Sequence, residues 1–364
     1  MTNFEGYKYT TEILETANNS SIIFAIVLAA FFSAVSADAS ARALQEGGDD
    51  VQKVIRMVGS EITHNIVTEN TLGRQIEFLT DTLCEGRATG SRGAVETAFW
   101  IERQFAGLGI LPFGESYSRS FMAHDGRIGR NLIGLLPSGG KKSAKPYIII
   151  AAPYDGLGIL DGAMYPGADS NASGVAAMLG SASMIGAMMR YGKVYGKNII
   201  FVALDGKHLN MRGAQELWNT VSGGSLKDPA SGTTITADDI MLMVNLDQIG
   251  SSMAPLHEGN GEYLIMLSDA RSDFYRSSLT SMNSKYKIGL DLGFDYYGSR
   301  DFTRLFYSVV SEQKVFIEHG KPAVMFTSGI TMNNNKTRDT ASTLDLGVLK
   351  KRVWLLFHWL ERVI

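Results

Sequence analysis

Cysteine is almost missing from this sequence: Cys84 stands alone among 364 residues. One thiol makes no internal disulfide and no cysteine-based zinc cluster, and a buried structural role is expected for it. Excess charge is missing too. The 34 Lys and Arg against 37 Asp and Glu leave a net charge of -3 and a pI near 6.1. Without a basic footprint, nucleic acid is not an expected partner. The chain has no internal repeat, no low-complexity tract and no long linker, so after its leader it reads as one domain. The apolar run Ile22 to Phe32, IIFAIVLAAFF, is short for a membrane span and about right for a signal-peptide core.

What is present is ordinary for a globular protein, with 45% hydrophobic and 20% charged residues. Small residues follow the apolar run, and Val35-Ser36-Ala37 or Ala37-Asp38-Ala39 offers a cleavage site. The flank before it is unusual, since Lys8 faces Glu5, Glu12 and Glu15. Export to a periplasmic or secreted location is expected, with residues 1–37 removed as a leader and no stable membrane span afterwards. An uncleaved leader acting as membrane anchor is the alternative. No cysteine ends the apolar run, which excludes lipoprotein attachment there.

Residues 38–69 read as a helical extension, with Val51, Ile55, Val58 and Ile62 at helical spacing. Residues 70–364 form the main domain. Thr71 to Cys84 is expected to be a helix with Leu72, Ile76, Leu79 and Leu83 on one face. A glycine-rich loop from Glu85 to Gly93 leads to a helix over Ala94 to Leu108. Short apolar runs then alternate with helical stretches. The strands expected are Asn131–Leu136, Tyr147–Ala152, Asn198–Leu204, Met241–Leu246, Tyr263–Leu267 and Ala323–Thr327. Helices are expected over Ser173–Arg190, Gly213–Ser222 and Leu344–Ile364. That alternation argues for an α/β fold, a mostly parallel sheet with helices on both faces.

The chain turns on Tyr147 to Gly174, YIIIAAPYDGLGILDGAMYPGADSNASG. A buried strand breaks at Pro153, passes through a glycine-rich loop and enters a helix. Open α/β sheets place their ligands at such strand ends.

Six motifs in order resemble the co-catalytic zinc aminopeptidase family, which includes bacterial leucyl aminopeptidase, glutaminyl cyclase and the transferrin-receptor ectodomain. They are Phe78 to Gly93, Tyr165-Pro-Gly-Ala-Asp-Ser-Asn-Ala-Ser-Gly174, Phe201-Val-Ala-Leu-Asp-Gly-Lys-His208, Val244-Asn-Leu-Asp-Gln-Ile-Gly250, Gly320-Lys-Pro-Ala-Val-Met-Phe326 and Asp339-Thr340. The resemblance spans Thr71 to the C-terminus. It implies a three-layer α-β-α sandwich around a mostly parallel mixed sheet. It also implies two zinc ions held by carboxylates and histidines, with a glutamate as general base.

Carried over residue by residue, the resemblance gives five former metal-site positions: Pro153, Ser170, His208, Asp247 and Asn335. Only Asp247 is the family's own residue, and His208 replaces a ligand glutamate with another competent donor. The general-base position carries Lys207, a cation that repels zinc. Asp155, Asp169, Lys207, His208 and Asp247 are the candidate pocket-lining residues. Asp161 and Asp205 lie near strand ends, Asp205 with a structural role, and His124, His257 and His319 are expected on the surface or in loops.

The expectation is a peptidase fold without metal, binding a peptide, glycan or protein and acting in binding or assembly. No cofactor is expected. The alternative is an active metallo-aminopeptidase or amide hydrolase, with zinc in a rebuilt, single-metal site on His208 and Asp247. A third reading is metal-free hydrolysis, Lys207 activating Ser170 as nucleophile, which needs a lysine of depressed pKa. Two accounts of Lys207 stay open: it neutralises the remaining carboxylates internally, or it points to solvent.

Overall fold

Strand after strand in this chain is a short β-branched or aliphatic run, and the runs assemble side by side. The computed structural model describes residues 63–139, 146–269 and 273–364. The leader, the helix expected over Val51 to Ile62 and most of the extension lie outside the described residues. In chain order the strands are β1 (Leu111–Pro112), β2 (Ser118–Met122), β3 (Ile128–Leu136), β4 (Tyr147–Pro153), β5 (Gly158–Leu160), β6 (Ala163–Tyr165), β7 (Asn198–Leu204), β8 (Leu226–Lys227), β9 (Thr234–Ile235), β10 (Ile240–Leu246), β11 (Tyr263–Ser268), β12 (Asp291–Gly293) and β13 (Ala323–Thr327). The helices are α1 (Glu69–Leu79), α2 (Arg92–Gly107), α3 (Ser173–Arg190), α4 (Arg212–Ser222), α5 (Asp273–Lys285), α6 (Arg300–Ser308), α7 (Gln313–Glu318) and α8 (Leu346–Val363).

Strands β5 with β6 and β8 with β9 form separate hairpins, and the other nine make one mixed sheet. Its order is β1-β3-β7-β4-β10-β13-β11-β12, with β2 also on β3. The central pairs β7–β4, β4–β10 and β10–β13 are parallel. The flanking pairs β3–β7 and β11–β13 are antiparallel. Every residue of β4 and of β7 is buried, as continuous apolar runs covered on both faces must be. Each fully buried Ile, such as Ile148, Ile149 or Ile150, contributes roughly 1.5–3 kcal/mol of transfer free energy. Helix α3 is apolar nearly all round and correspondingly buried.

One expected helix is shorter than its pattern. The run from Thr71 to Cys84 divides at Thr80, where α1 ends, and a 3₁₀ stretch covers Thr82 to Arg87. The Asp81 carboxylate accepts the Leu83 N–H at 2.8 Å, a local bond that competes with helix continuation. Leu83 is therefore 44% exposed rather than on the apolar face. Strand β2, SRSFM, was not expected, because a half-polar edge strand carries little hydrophobic signal. Helices α5, α6 and α7 were likewise not anticipated.

Candidate functional site

The parallel strands β7, β4, β10 and β13 end side by side, so the residues that follow them meet at one rim. Strand β4 delivers Pro153 and Asp155, β7 delivers Lys207 and His208, and β10 delivers Asp247. The loop after Gly167 supplies Asp169 and Ser170.

Lys207 and Asp247 form an ion pair with side chains only 13% and 5% exposed. Burial alone would lower the lysine pKa, but the charges of Asp247, Glu312 and Asp155 outweigh it and hold the ammonium above its ordinary value. Lys207 therefore reaches inward, and the depressed lysine required for activating Ser170 is not present. The other Asp247 oxygen accepts the Ser311 hydroxyl at 3.0 Å.

Asp155, a candidate pocket-lining residue, is fully buried and spends its carboxylate on the backbone. One oxygen accepts the Lys207 N–H at 3.0 Å and the other the His208 N–H at 3.1 Å. It fixes the turn that aims the lysine. Burial raises its pKa to about 6, against the pull of those N–H groups and of Lys207 and Arg87. His208 is half-buried, and burial followed by the Lys207 charge lowers its pKa to about 4, leaving a neutral imidazole.

Sequence reasoning missed a second tier. Ser311, Glu312 and Gln313 sit on the Asn245 side chain, whose amide lies 2.9, 3.2 and 2.8 Å from their acceptor oxygens. Glu312 is 1% exposed, and one of its oxygens has no hydrogen-bond partner. The Ser311 hydroxyl lies 3.0 Å from Asp247 and 3.1 Å from Glu312. It carries a single proton, so it donates to one carboxyl group at a time, and a protonated Glu312 would let both contacts be made. Burial raises the Glu312 pKa to about 7, opposed by Lys207 and assisted by Asp247. The usable signal was a polar Ser-Glu-Gln triplet between Val309-Val310 and Val315-Phe316.

Asp169 and Ser170 are held from elsewhere. Asp339 accepts the Asp169 N–H at 2.8 Å and the Ser170 N–H at 3.1 Å. The Asp169 carboxylate accepts the Gly250 N–H at 2.8 Å and lies 3.1 Å from the Ser173 hydroxyl. Burial, with Asp339 adding, raises its pKa to about 6. Its bonds thus serve the loop rather than the lysine cluster. Asn171 bridges two strand ends by donating to the carbonyls of Pro153 at 3.1 Å and Leu246 at 2.9 Å.

Arg87, fully buried, donates to the carbonyls of Tyr154, Pro166 and Gly167 at 2.8 Å each and also to Leu79. It clamps both ends of the glycine-rich loop to the Glu-Gly-Arg turn.

The remaining candidates stay apart. Asn335 and Asp161 are exposed. Asp205 accepts from Thr89, Arg130 and Gly206 and is structural, as expected. His124 is exposed, His257 pairs with Asp291, and His319 stacks on Trp218. Among the described residues, no three His, Cys, Asp or Glu side chains converge in a way that could hold a metal ion.

The profile of peptidase family M28 matches residues 131–360. Similar solved structures include the Legionella pneumophila LapA aminopeptidase, 16% identical, with 82% of this chain and 73% of that one covered at a TM-score of 0.61. The zinc aminopeptidase BSAP from Bacillus subtilis is 12% identical, with 82% and 95% covered and a TM-score of 0.59. Macrostomum lignano glutaminyl cyclase is 16% identical, with 84% and 92% covered and a TM-score of 0.63. These likenesses establish the fold. No curated protein matches in sequence.

Proposed function

The chain belongs to peptidase family M28, and from that premise we propose that it is a non-catalytic member: an exported protein that binds a peptide, glycan or protein instead of hydrolysing amides. One observation carries the reading. Where co-catalytic chemistry needs a general base beside two dications, the Lys207 ammonium is paired with Asp247 and walled in by a second tier of polar groups. The donor set does not fit a two-zinc centre, because Pro153 offers no side-chain donor, Ser170 is a neutral hydroxyl and Asn335 is exposed. A buried ammonium supplies one positive charge but neither accepts a proton at neutral pH nor polarises a carbonyl as a Lewis acid does.

A working hydrolase with one metal on His208 and Asp247 is the second reading. It is favoured by the neutral, half-buried His208 imidazole, a competent donor. Against it, both Asp247 oxygens are already engaged, by Lys207 and Ser311. Zinc content of the purified full-length protein, measured together with turnover of aminoacyl-anilides, separates the two. The non-catalytic reading expects substoichiometric zinc and no metal-dependent turnover. Stoichiometric zinc with metal-dependent turnover would overturn it.

A further inference from the structure

We propose that His64 and His358 form an acid-sensitive clasp fastening the chain that enters α1 to the C-terminal helix α8. Their Nε2 atoms lie 3.3 Å apart. The ring centroids are 5.6 Å apart, with the planes at 71°. That is the spacing of two imidazoles meeting head-on through those nitrogens. A head-on pair has room for one proton between the rings, one nitrogen donating and the other accepting. A second proton sets N–H against N–H and turns attraction into repulsion of like charges.

Neighbours hold both rings in register. His64 stacks on Trp354 at 4.0 Å, and the Trp354 indole donates to the Val67 carbonyl at 3.3 Å. His358 stacks on Tyr286 at 3.5 Å. The charges around the pair come from several elements. Glu361 lies 3.6 Å from the far nitrogen of His358 through Oε2 and, after burial, is the largest influence on that ring, favouring its imidazolium; its Oε1 is engaged by Lys193 and the Tyr195 hydroxyl. Lys285 and Lys193 add positive charge that disfavours the imidazolium. Lys350 lies over Trp354 and pairs with Glu69. Burial, ahead of the influence of its partner ring, lowers the His64 pKa to about 4. His358 is also lowered, chiefly by burial.

The sign follows directly. Released histidines take up protons as pH falls below about 6.5, while the clasped pair refuses them until much lower pH. The clasp is therefore complete above that value and loses up to about tenfold in its closing equilibrium per pH unit per proton as pH falls. Acid therefore weakens the hold of the segment that enters α1 on α8.

Hydrogen exchange followed by mass spectrometry on the full-length chain, corrected for intrinsic rates, tests this near pH 7 and near pH 4.5. Peptides covering residues 63–72 should lose about tenfold or more of their protection on acidification, while β4 and β10 keep theirs. His64→Phe keeps a ring on Trp354 and removes one of the two titrating imidazoles, so its loss of protection on acidification should be several-fold smaller than that of the wild type. Equal protection of the wild-type segment at both pH values would overturn the clasp. So would acid loss in His64→Phe matching the wild type, or simultaneous loss in the central strands.

Discussion

Lys207 and Asp155 are hydrogen-bonded through the backbone and not through the ammonium: the carboxylate accepts the lysine's own N–H at 3.0 Å, while the ammonium pairs with Asp247. The aspartate sets the direction and the lysine supplies the charge.

Removing that charge alone leaves Asp247 buried without a counter-ion. Lys207→Met is expected to destabilise the fold by about 3–5 kcal/mol, as breaking one side of a buried pair does. Lys207→Met with Asp247→Leu should recover most of the loss. Urea denaturation of the parent, both single variants and the double variant measures the coupling directly. Additive losses would show that the two side chains act independently.

Burial raises the Glu312 pKa to about 7 against an ordinary value near 4.5, so the folded state holds its proton to higher pH than the unfolded chain does. Between those values the folded state binds more protons than the unfolded one, so this residue's contribution to stability falls as pH rises. Glu312→Gln mimics the protonated form and should be flat across the same window. At pH 8 the variant is expected to exceed the parent by on the order of 1–3 kcal/mol, and at pH 4 the two should converge. Stability curves from chemical denaturation at each pH test this. A parent no less stable than the variant at pH 8 would refute the raised pKa.

Arg87→Met removes the buried donor for four carbonyls around the site loop. Hydrogen bonds to charged donors contribute about 1.5–3 kcal/mol each, and unpaired carbonyls add a penalty. A loss of at least about 3 kcal/mol is expected, with faster hydrogen exchange over Tyr154 to Gly167. Lys at this position should rescue little, because an ammonium cannot spread its donors as a guanidinium does.

Gly174 is fixed by space. A Cβ there would lie 2.4 Å from the Asn171 amide nitrogen and 2.5 Å from the Leu246 carbonyl. Gly174→Ala should therefore dislodge Asn171 and lower stability by about 1–3 kcal/mol. Gly107→Ala, where nothing lies within 4 Å of an added Cβ, is the control and should be neutral or slightly stabilising.

The central strands were legible because a strand buried on both faces must be apolar throughout. Asn198–Leu204 and Ala323–Thr327 coincide with their expected bounds. Pro153 ends β4, and Lys207 and Asp247 follow β7 and β10 closely, the strand-end placement that the motif spacing expects. The second tier was not, because Ser311 to Gln313 follow α6 and meet Asn245 only through the tertiary fold. Leu83 was misplaced for a local reason, since one aspartate hydrogen bond outbid a helical period. His64 and His358 gave no signal at a separation of 294 residues.

Asn171 spans the ends of β4 and β10 with an uncharged amide, and Asp339 and Arg87 hold the adjoining loop, while none of the three is hydrogen-bonded to Lys207 or Asp247. Frame and charge are therefore separable in this molecule. The strand ends are tied together by groups other than the ion pair, so the charges at Ser170, Lys207 and His208 can be rewritten while those ties stay in place.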